Sequence, residues 1–339
     1  MKKERIRKTI CGEKPDKLAY SFWTHLPVID LDPLKLAQET YSFYKKYDLD
    51  FIKTMNNGMY SIEDFGCNID YQPVLDGGIA KVLTKPINTI TDIKHLTKLS
   101  IKKGALAREI LSLKLLKNYV KEEAPIIFTI FSPLTTLQKL CGLTLLKQAM
   151  QEVPQDVHTA LEHISLTTAE LATEAIHHGA DGVFFASQSS TYDTFSFEEY
   201  LAFGRPYDLQ SLSGASQGWF NVIHAHGKNI IFEILKDYPV QVFNWHAGES
   251  YPEMDEAADL TGKCLMGGLE RADITHGDRN ALQNQIYRSI KIMKKKNHIL
   301  SPGCVIRYPL DEKILHYIKE VKDSIETKID LIETEVESL

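Results

Sequence analysis

Cysteine is scarce in this chain, and what there is follows no framework. The five cysteines (Cys11, Cys67, Cys141, Cys264 and Cys304) are odd in number, scattered, and nowhere spaced as CxxC. That excludes a disulfide-built fold and points to a reducing cytoplasm. Long apolar runs are missing too: none approaches the roughly 20 residues that cross a bilayer. The basic stretch from Met1 to Lys8 leads into no apolar segment, so no secretory leader is expected. Nor is charge of one sign in excess. With 39 lysines and arginines interspersed among 45 acids, the net charge of −6 speaks against a nucleic-acid or polyanion partner. Neither GxGxxG nor a P-loop occurs, and no strand exit carries a GxSxG elbow. The common nucleotide cradles and the serine-hydrolase reading therefore drop out.

What is there is an alternation. Apolar, strand-like runs fall at residues 18–23, 51–55, 125–131, 181–186, 219–226, 240–245, 264–268 and 298–303. Between them lie stretches of helical spacing, among them 33–47, 103–122, 134–150, 154–178, 230–237, 255–262, 279–296 and 312–328. Ser196 and Glu199 have capping-box spacing for a helix through Phe203. Residues 4–12 and 92–99 read as extra helices, and 59–82 as an irregular insertion or hairpin. Eight strands, each followed by helix, predict a parallel sheet closed into one (β/α)8 TIM-type barrel domain over residues 1–339. A chain that is 43% hydrophobic can fill so large a core.

In such barrels the reactive groups sit where the strands end. The exits here offer His25, Asn56, Ser132, Ser187 with Gln188, His224 with His226, Asn244 with His246, Glu270 and Cys304. Ile223-His224-Ala225-His226-Gly227 delivers two imidazoles at the end of an apolar run, and a second run ends in Ser301-Pro302-Gly303-Cys304. Two imidazoles and a thiolate make a three-ligand zinc set with room for a fourth group. His224, His226 and Cys304 are thus the expected metal ligands and catalytic centre. The expected substrate contacts are His25, Asn56, Ser187, Gln188, Asn244, His246 and Glu270. Plainer roles exist: a buried thiol is often a small hydrophobe, and Glu270 suits a helix N-terminus. The other four cysteines are expected to be structural.

Several stretches carry a resemblance. They are Arg7-Lys8-Thr9-Ile10-Cys11-Gly12-Glu13-Lys14-Pro15-Asp16, Ser132-Pro133-Leu134-Thr135, Gly179-Ala180-Asp181-Gly182-Val183, the two-histidine stretch, and Ile299-Leu300-Ser301-Pro302-Gly303-Cys304. Over nearly its whole length the chain resembles the uroporphyrinogen decarboxylase superfamily, which includes cobalamin-dependent, zinc-containing methyltransferases. The family fold is a distorted (β/α)8 barrel. Its decarboxylases resemble one another in two N-terminal arginines, an aspartate after the second strand, a serine after the fourth and a histidine near the last. A porphyrinogen with its many carboxylates needs arginine clamps. Here no arginine lies between Arg7 and Arg108, strand two ends in Lys53, Asn56 and Asn57, and Cys304 stands where that histidine would be. Ser187 does match the serine. The methyltransferase branch is closer. Its zinc motif is similar to His-x-Cys-Gly after strand five with a distant cysteine after strand eight, which implies His224 and Cys304 as ligands and puts His226 in the nearer cysteine's place.

The resemblance implies a cytoplasmic zinc enzyme that moves a methyl group between a corrinoid, carried on a partner protein, and a small thiol-type acceptor, with a homodimer as its assembly. One rival is a lyase of porphyrin biosynthesis, uroporphyrinogen decarboxylase itself. The other is a non-catalytic protein that binds a corrinoid or small metabolite, favoured by the scarcity of acid–base carboxylates at the mouth.

Overall fold

Runs of apolar residues buried on both faces, alternating with amphipathic helices, have one joint solution: strands inside, helices outside. The structure, a computed structural model, describes residues 1–337, with side chains through residue 329. The chain opens with α1 (Lys2–Ile10), β1 (Ala19–Tyr20), α2 (Pro33–Tyr47) and β2 (Ile52–Lys53). An insertion follows, made of α3 (Tyr60–Glu63) and an antiparallel hairpin of β3 (Asn68–Asp70) and β4 (Lys81–Thr84). Next come α4 (Gly104–Val120), β5 (Ile126–Phe131), α5 (Pro133–Cys141), α6 (Leu143–Glu152), α7 (Pro154–His177) and β6 (Gly182–Ser187). Then α8 (Phe197–Phe203) and α9 (Arg205–Ser213) lead to β7 (Val222–Ala225), α10 (Phe232–Leu235) and β8 (Val242–Trp245). The last elements are α11 (Met254–Thr261), β9 (Cys264–Leu269), α12 (Arg271–His276), α13 (Arg279–Met293), β10 (His298–Pro302) and α14 (Glu312–Glu337). Among the described residues no helix is long and apolar enough to cross a membrane.

Eight parallel strands form one sheet in the order β1-β10-β9-β8-β7-β6-β5-β2, the (β/α)8 arrangement that the alternation predicts. β5, β6, β7, β8 and β10 are buried along their whole length, which is why each reads as a continuous apolar run. The two ends of the sheet meet in a seam instead of a ladder. Asp50 N–H donates to Tyr20 O at 3.0 Å, Tyr20 N–H donates to Asp50 Oδ2 at 2.9 Å, and the Ser21 hydroxyl donates to Phe51 O at 2.8 Å. Asp50 also pairs with Arg5, so one buried carboxylate ties α1 to both strands.

The details depart from the sequence expectation where local chemistry outweighs period. Residues 134–150 are two helices, because the chain breaks at Gly142 with a φ of +89° that a side chain would make costly. The expected helix at 92–99 is a 3-10 turn, Ile90–His95. α9 escapes notice because two of its three buried residues, Asp208 and Ser211, are polar. α12 is short and buries only Ile274, while α14 runs past residue 328.

Replacing Asp50 with alanine strips Tyr20 N–H of its acceptor and Arg5 of its buried partner. Breaking such a pair costs about 3 kcal/mol, the low end of the usual span, because Arg5 keeps Asp16. Urea unfolding of Asp50→Ala should show a loss of that size; an unchanged midpoint would show that the seam is held elsewhere.

Candidate active site

Residues two apart in an extended run point to the same side. His224 lies within β7 and His226 just beyond its end. Register then places His224 beside Asn244 of β8, and Asn244 beside Met266 of β9. The Asn244 amide spans all three strands. Its Nδ2 donates to Met266 O at 2.7 Å, which turns Oδ1 toward His224 Nδ1 at 2.6 Å. His224 therefore carries its proton on Nδ1 and keeps Nε2 as a free lone pair. Its ring stacks on Phe184, 5.1 Å between centroids.

Cys304 arrives from β10, and Gly303 makes the approach feasible. A Cβ on Gly303 would lie 2.8 Å from Trp245 O and 2.9 Å from His246 Cα. Backbone thus rests on backbone, and Cys304 Sγ comes to 3.5 Å from His226 Nδ1. His246, two residues beyond Asn244, joins them, its ring centroid 4.9 Å from that of His226. One donor atom from each of His224, His226, His246 and Cys304 lies within 4.8 Å of all the others. Donors around tetrahedral zinc stand about 3.3–3.8 Å apart, so a modest contraction suits this set to one ion. His246 Nε2 is buried with no hydrogen-bond partner, as fits a nitrogen reserved for a metal.

Charge also fits. Burial, aided by neighbouring imidazoles and cations, holds the histidines neutral: His226 and His246 drop to about 4, and His224 falls well below the usual range. Neutral imidazoles bind a metal without first losing a proton. The 4.0 Å approach of His246 Nδ1 to Glu249 is accordingly no ion pair. At Cys304 burial pushes the thiol pKa up, with Arg271 opposing, so its deprotonation would accompany metal binding.

These residues border a cavity of about 500 Å³ in the barrel mouth, where His224, His226 and Cys304 line the wall. Of the expected substrate contacts, His25, Asn56 and Gln188 line it as well. The others lie elsewhere. Ser187 is fully buried, and its Oγ is 2.9 Å from the Tyr200 hydroxyl. That hydroxyl and the one on Tyr238 donate to Asp208 at 2.6 and 2.7 Å. Asn244 holds His224, and His246 belongs to the donor group. Glu270 stands at the N-cap of α12 and lines a separate small pocket. Gly214-Ala215-Ser216-Gln217-Gly218 has GxSxG spacing, but it runs from α9 into β7, the reverse of a strand-to-helix elbow.

The mouth is more cationic than the sequence reading expects. Lys53, Lys139, Arg271 and Arg307 line the cavity, and Asp30 is the acid among its described lining residues. Lys53 Nζ donates to Thr54 O at 3.1 Å and faces the Phe184 ring at 4.9 Å. Lys139 Nζ donates to Gly58 O at 2.9 Å over the Phe131 ring at 4.3 Å. Desolvation draws both ammonium groups down to about 7 and pushes the Asp30 carboxyl up to about 7. A lysine closing an apolar strand, as Lys53 does, was the signal for this charge.

Comparisons with known proteins agree with the geometry. Residues 23–323 match the family model described as Uroporphyrinogen decarboxylase (URO-D). A methyltransferase from Methanosarcina mazei is similar in fold, with a TM-score of 0.80 at 16% identity, over 95% of this chain and 98% of that one. So is a B12-independent methionine synthase from a Shewanella species, solved in complex with selenomethionine. Its TM-score is 0.59 at 13% identity, over 95% of this chain and 97% of that one. Identities this low speak for the fold alone. Among curated protein sequences, none matches the chain.

The polar layer beneath the mouth has a pH signature. Burial raises the Asp208 carboxyl to about 7 from an ordinary 3.8, against the pull of its two tyrosine donors. Between those values the unfolded chain has released this proton and the folded chain has not, so its contribution to stability declines as pH rises from about 4 to 7. Asp208→Asn keeps an acceptor for both tyrosines and removes the titration. Urea unfolding from pH 4.5 to 7.5 should be flatter for the variant; parallel profiles would refute the assignment.

Proposed function

The chain belongs to the uroporphyrinogen decarboxylase family, and from that premise we propose a zinc enzyme that moves a methyl group between a corrinoid carrier and a small thiol acceptor. The observation that carries this reading is the convergence of His224, His226, His246 and Cys304 on one point, the first two and the last lining the cavity. A compact set of imidazoles with one thiolate suits zinc. The fold likeness to a methyltransferase supports the branch. Lysines among the four lining cations are a poor match for the ring of carboxylates on a porphyrinogen, which calls for bidentate arginine clamps.

Zinc held by three of these four donors, with the fourth position open, would lower the pKa of an acceptor thiol and hold it as thiolate. The chain's own residues supply the rest. Asn244 fixes the tautomer and tilt of His224 through its bond to Met266. Gly303 keeps Cys304 against His246. Phe184, stacked on the His224 ring at 5.1 Å and itself in edge contact with Trp23, covers that ring. The corrinoid would come on a partner protein and meet the acceptor at the mouth. With His226 where the related motif has a cysteine, the donor set is less negative, which favours acidity of the acceptor thiol over nucleophilicity of its thiolate.

Protein prepared without chelators should retain about one zinc per chain by elemental analysis, and Cys304→Ala should lose it. Asn244→Ala should weaken zinc roughly 10–100-fold in competition with a chelator. Zinc-loaded protein given methylcobalamin and a small thiol should consume the methyl donor. A wild-type chain that holds no stoichiometric zinc would sink the proposal.

A further inference from the structure

We propose that the acceptor thiol carries an extended apolar body, which lies in a slot between the strand floor of the cavity and a roof made by the insertion after β2. This rests on the reading that the donor set takes the acceptor's sulfur, and it adds the part of the molecule that the metal does not touch.

The floor follows from register. Side chains two apart on a strand share a side, and the parallel pairing sets Phe131 of β5 beside Ala186 of β6, and Ala186 beside His224 of β7. One step deeper, Thr129 of β5 lies beside Phe184 of β6. All five line the cavity, and Trp23, in edge contact with Phe184, continues the surface toward β1. Neighbouring strands stand about 4.8 Å apart, so Phe131, two strands from His224, lies about 10 Å across the sheet. The donor set occupies one end of this floor.

The roof is the insertion. A 3-10 turn, Gln72–Asp76, and the pair Gly77-Gly78 join β3 to β4 and bring Val74 and Ile79 to the same cavity. Arg307 Nη1 donates to Gly77 O at 2.9 Å, and a Cβ on Gly77 would come 2.9 Å from Tyr308 O. The insertion is thereby laid against the loop that follows Cys304, and it spans the mouth from the β2 side to the β10 side.

The chemistry between floor and roof is apolar. Lys53 and Lys139 lie over aromatic rings, each gives one hydrogen bond to a backbone carbonyl, and burial draws both toward neutrality. A cavity of about 500 Å³ with apolar walls and a few placed polar groups has the dimensions of a site for a drug-sized ligand. A three-carbon thiol held at the donor set stops short of Phe131 and leaves Ile79, 67% exposed, facing water. A longer apolar chain displaces that water from both surfaces.

Calorimetry with three probes tests this: 3-mercaptopropan-1-ol, 6-mercaptohexan-1-ol, and octan-1-ol, which has no sulfur. On zinc-loaded protein each added methylene should strengthen binding about fourfold, the worth of one buried CH₂, so the six-carbon thiol should bind roughly sixtyfold more tightly than the three-carbon one. Ile79 lies outside the buried core, so its variants should fold. Ile79→Asp puts a charge against the chain and should cost the six-carbon thiol on the order of tenfold, and the three-carbon thiol much less. Ile79→Leu should keep the preference. Equal affinities for the two thiols, an Ile79→Asp protein that binds both as the wild type does, or an Ile79→Leu protein that loses the preference would each overturn the proposal. Octan-1-ol on zinc-stripped protein separates the two readings. Binding that Ile79→Asp weakens, in a chain that never retains zinc, upholds the slot while the zinc reading fails. Zinc retained with no gain from the longer chain does the reverse.

Discussion

Contact between the exits of β10 and β8 at Gly303 is the constraint on which the mouth depends. These strands are not neighbours, since β9 lies between them. Barrel curvature brings their exits together, and a glycine lets backbone lie on backbone there, where any side chain would strike Trp245 O and His246 Cα. Without that contact, Cys304 and His246 would not share a point with the histidines of β7. A donor set drawn from three strands thus hangs on a residue with no chemistry of its own.

Beneath that point, polar side chains hold one another in place. Asn244 links His224 to Met266, Ser187 leans on Tyr200 and through it on Asp208, and Asn56 reaches Glu109, which Arg108 joins to Glu63. Buried polar groups must find partners, and finding them fixes their rotamers. The exceptions are telling. Orphaned atoms in the mouth belong to Asp30, Asn56 and His246, the first two on the cavity wall and the third in the donor set. Thr40, Ser61, Asp208 and His298 carry such atoms elsewhere, but those at the mouth stand where a ligand or ion would complete them.

Much of this was legible in the sequence. β5 to β8 and β10 were plain because strands covered on both faces read as unbroken apolar runs. β1 and β2 shrink to two paired residues each, because their remaining bonds serve the seam at Asp50. At the site, His224, His226 and Cys304 stood out as chemistry at strand ends. His246 was legible only as a polar exit residue, although Asn244-Trp245-His246 repeats the spacing of His224-Ala225-His226 one strand on. Two adjacent parallel strands with the same spacing place four polar side chains on one side, and that repetition was the signal. The positive wall forms no local sequence pattern, because it comes from Lys53 and Lys139 on separate elements and from two arginines late in the chain.

On the proposed reading, the replacement of a cysteine by His226 and the cationic wall belong to one electrostatic arrangement. Neutral imidazoles and one thiolate around a divalent ion leave it positive overall whether His246 binds or stands aside, and an acceptor thiolate in the open position brings that centre to neutrality. Beside that centre, Lys53 and Lys139 line the wall with no carboxylate partner among the described residues. Had position 226 been a second thiolate, the loaded centre would be negative. Lys53, which already feels Cys304, would then be held charged by that centre, whereas beside a neutral one burial is free to draw it down to about 7.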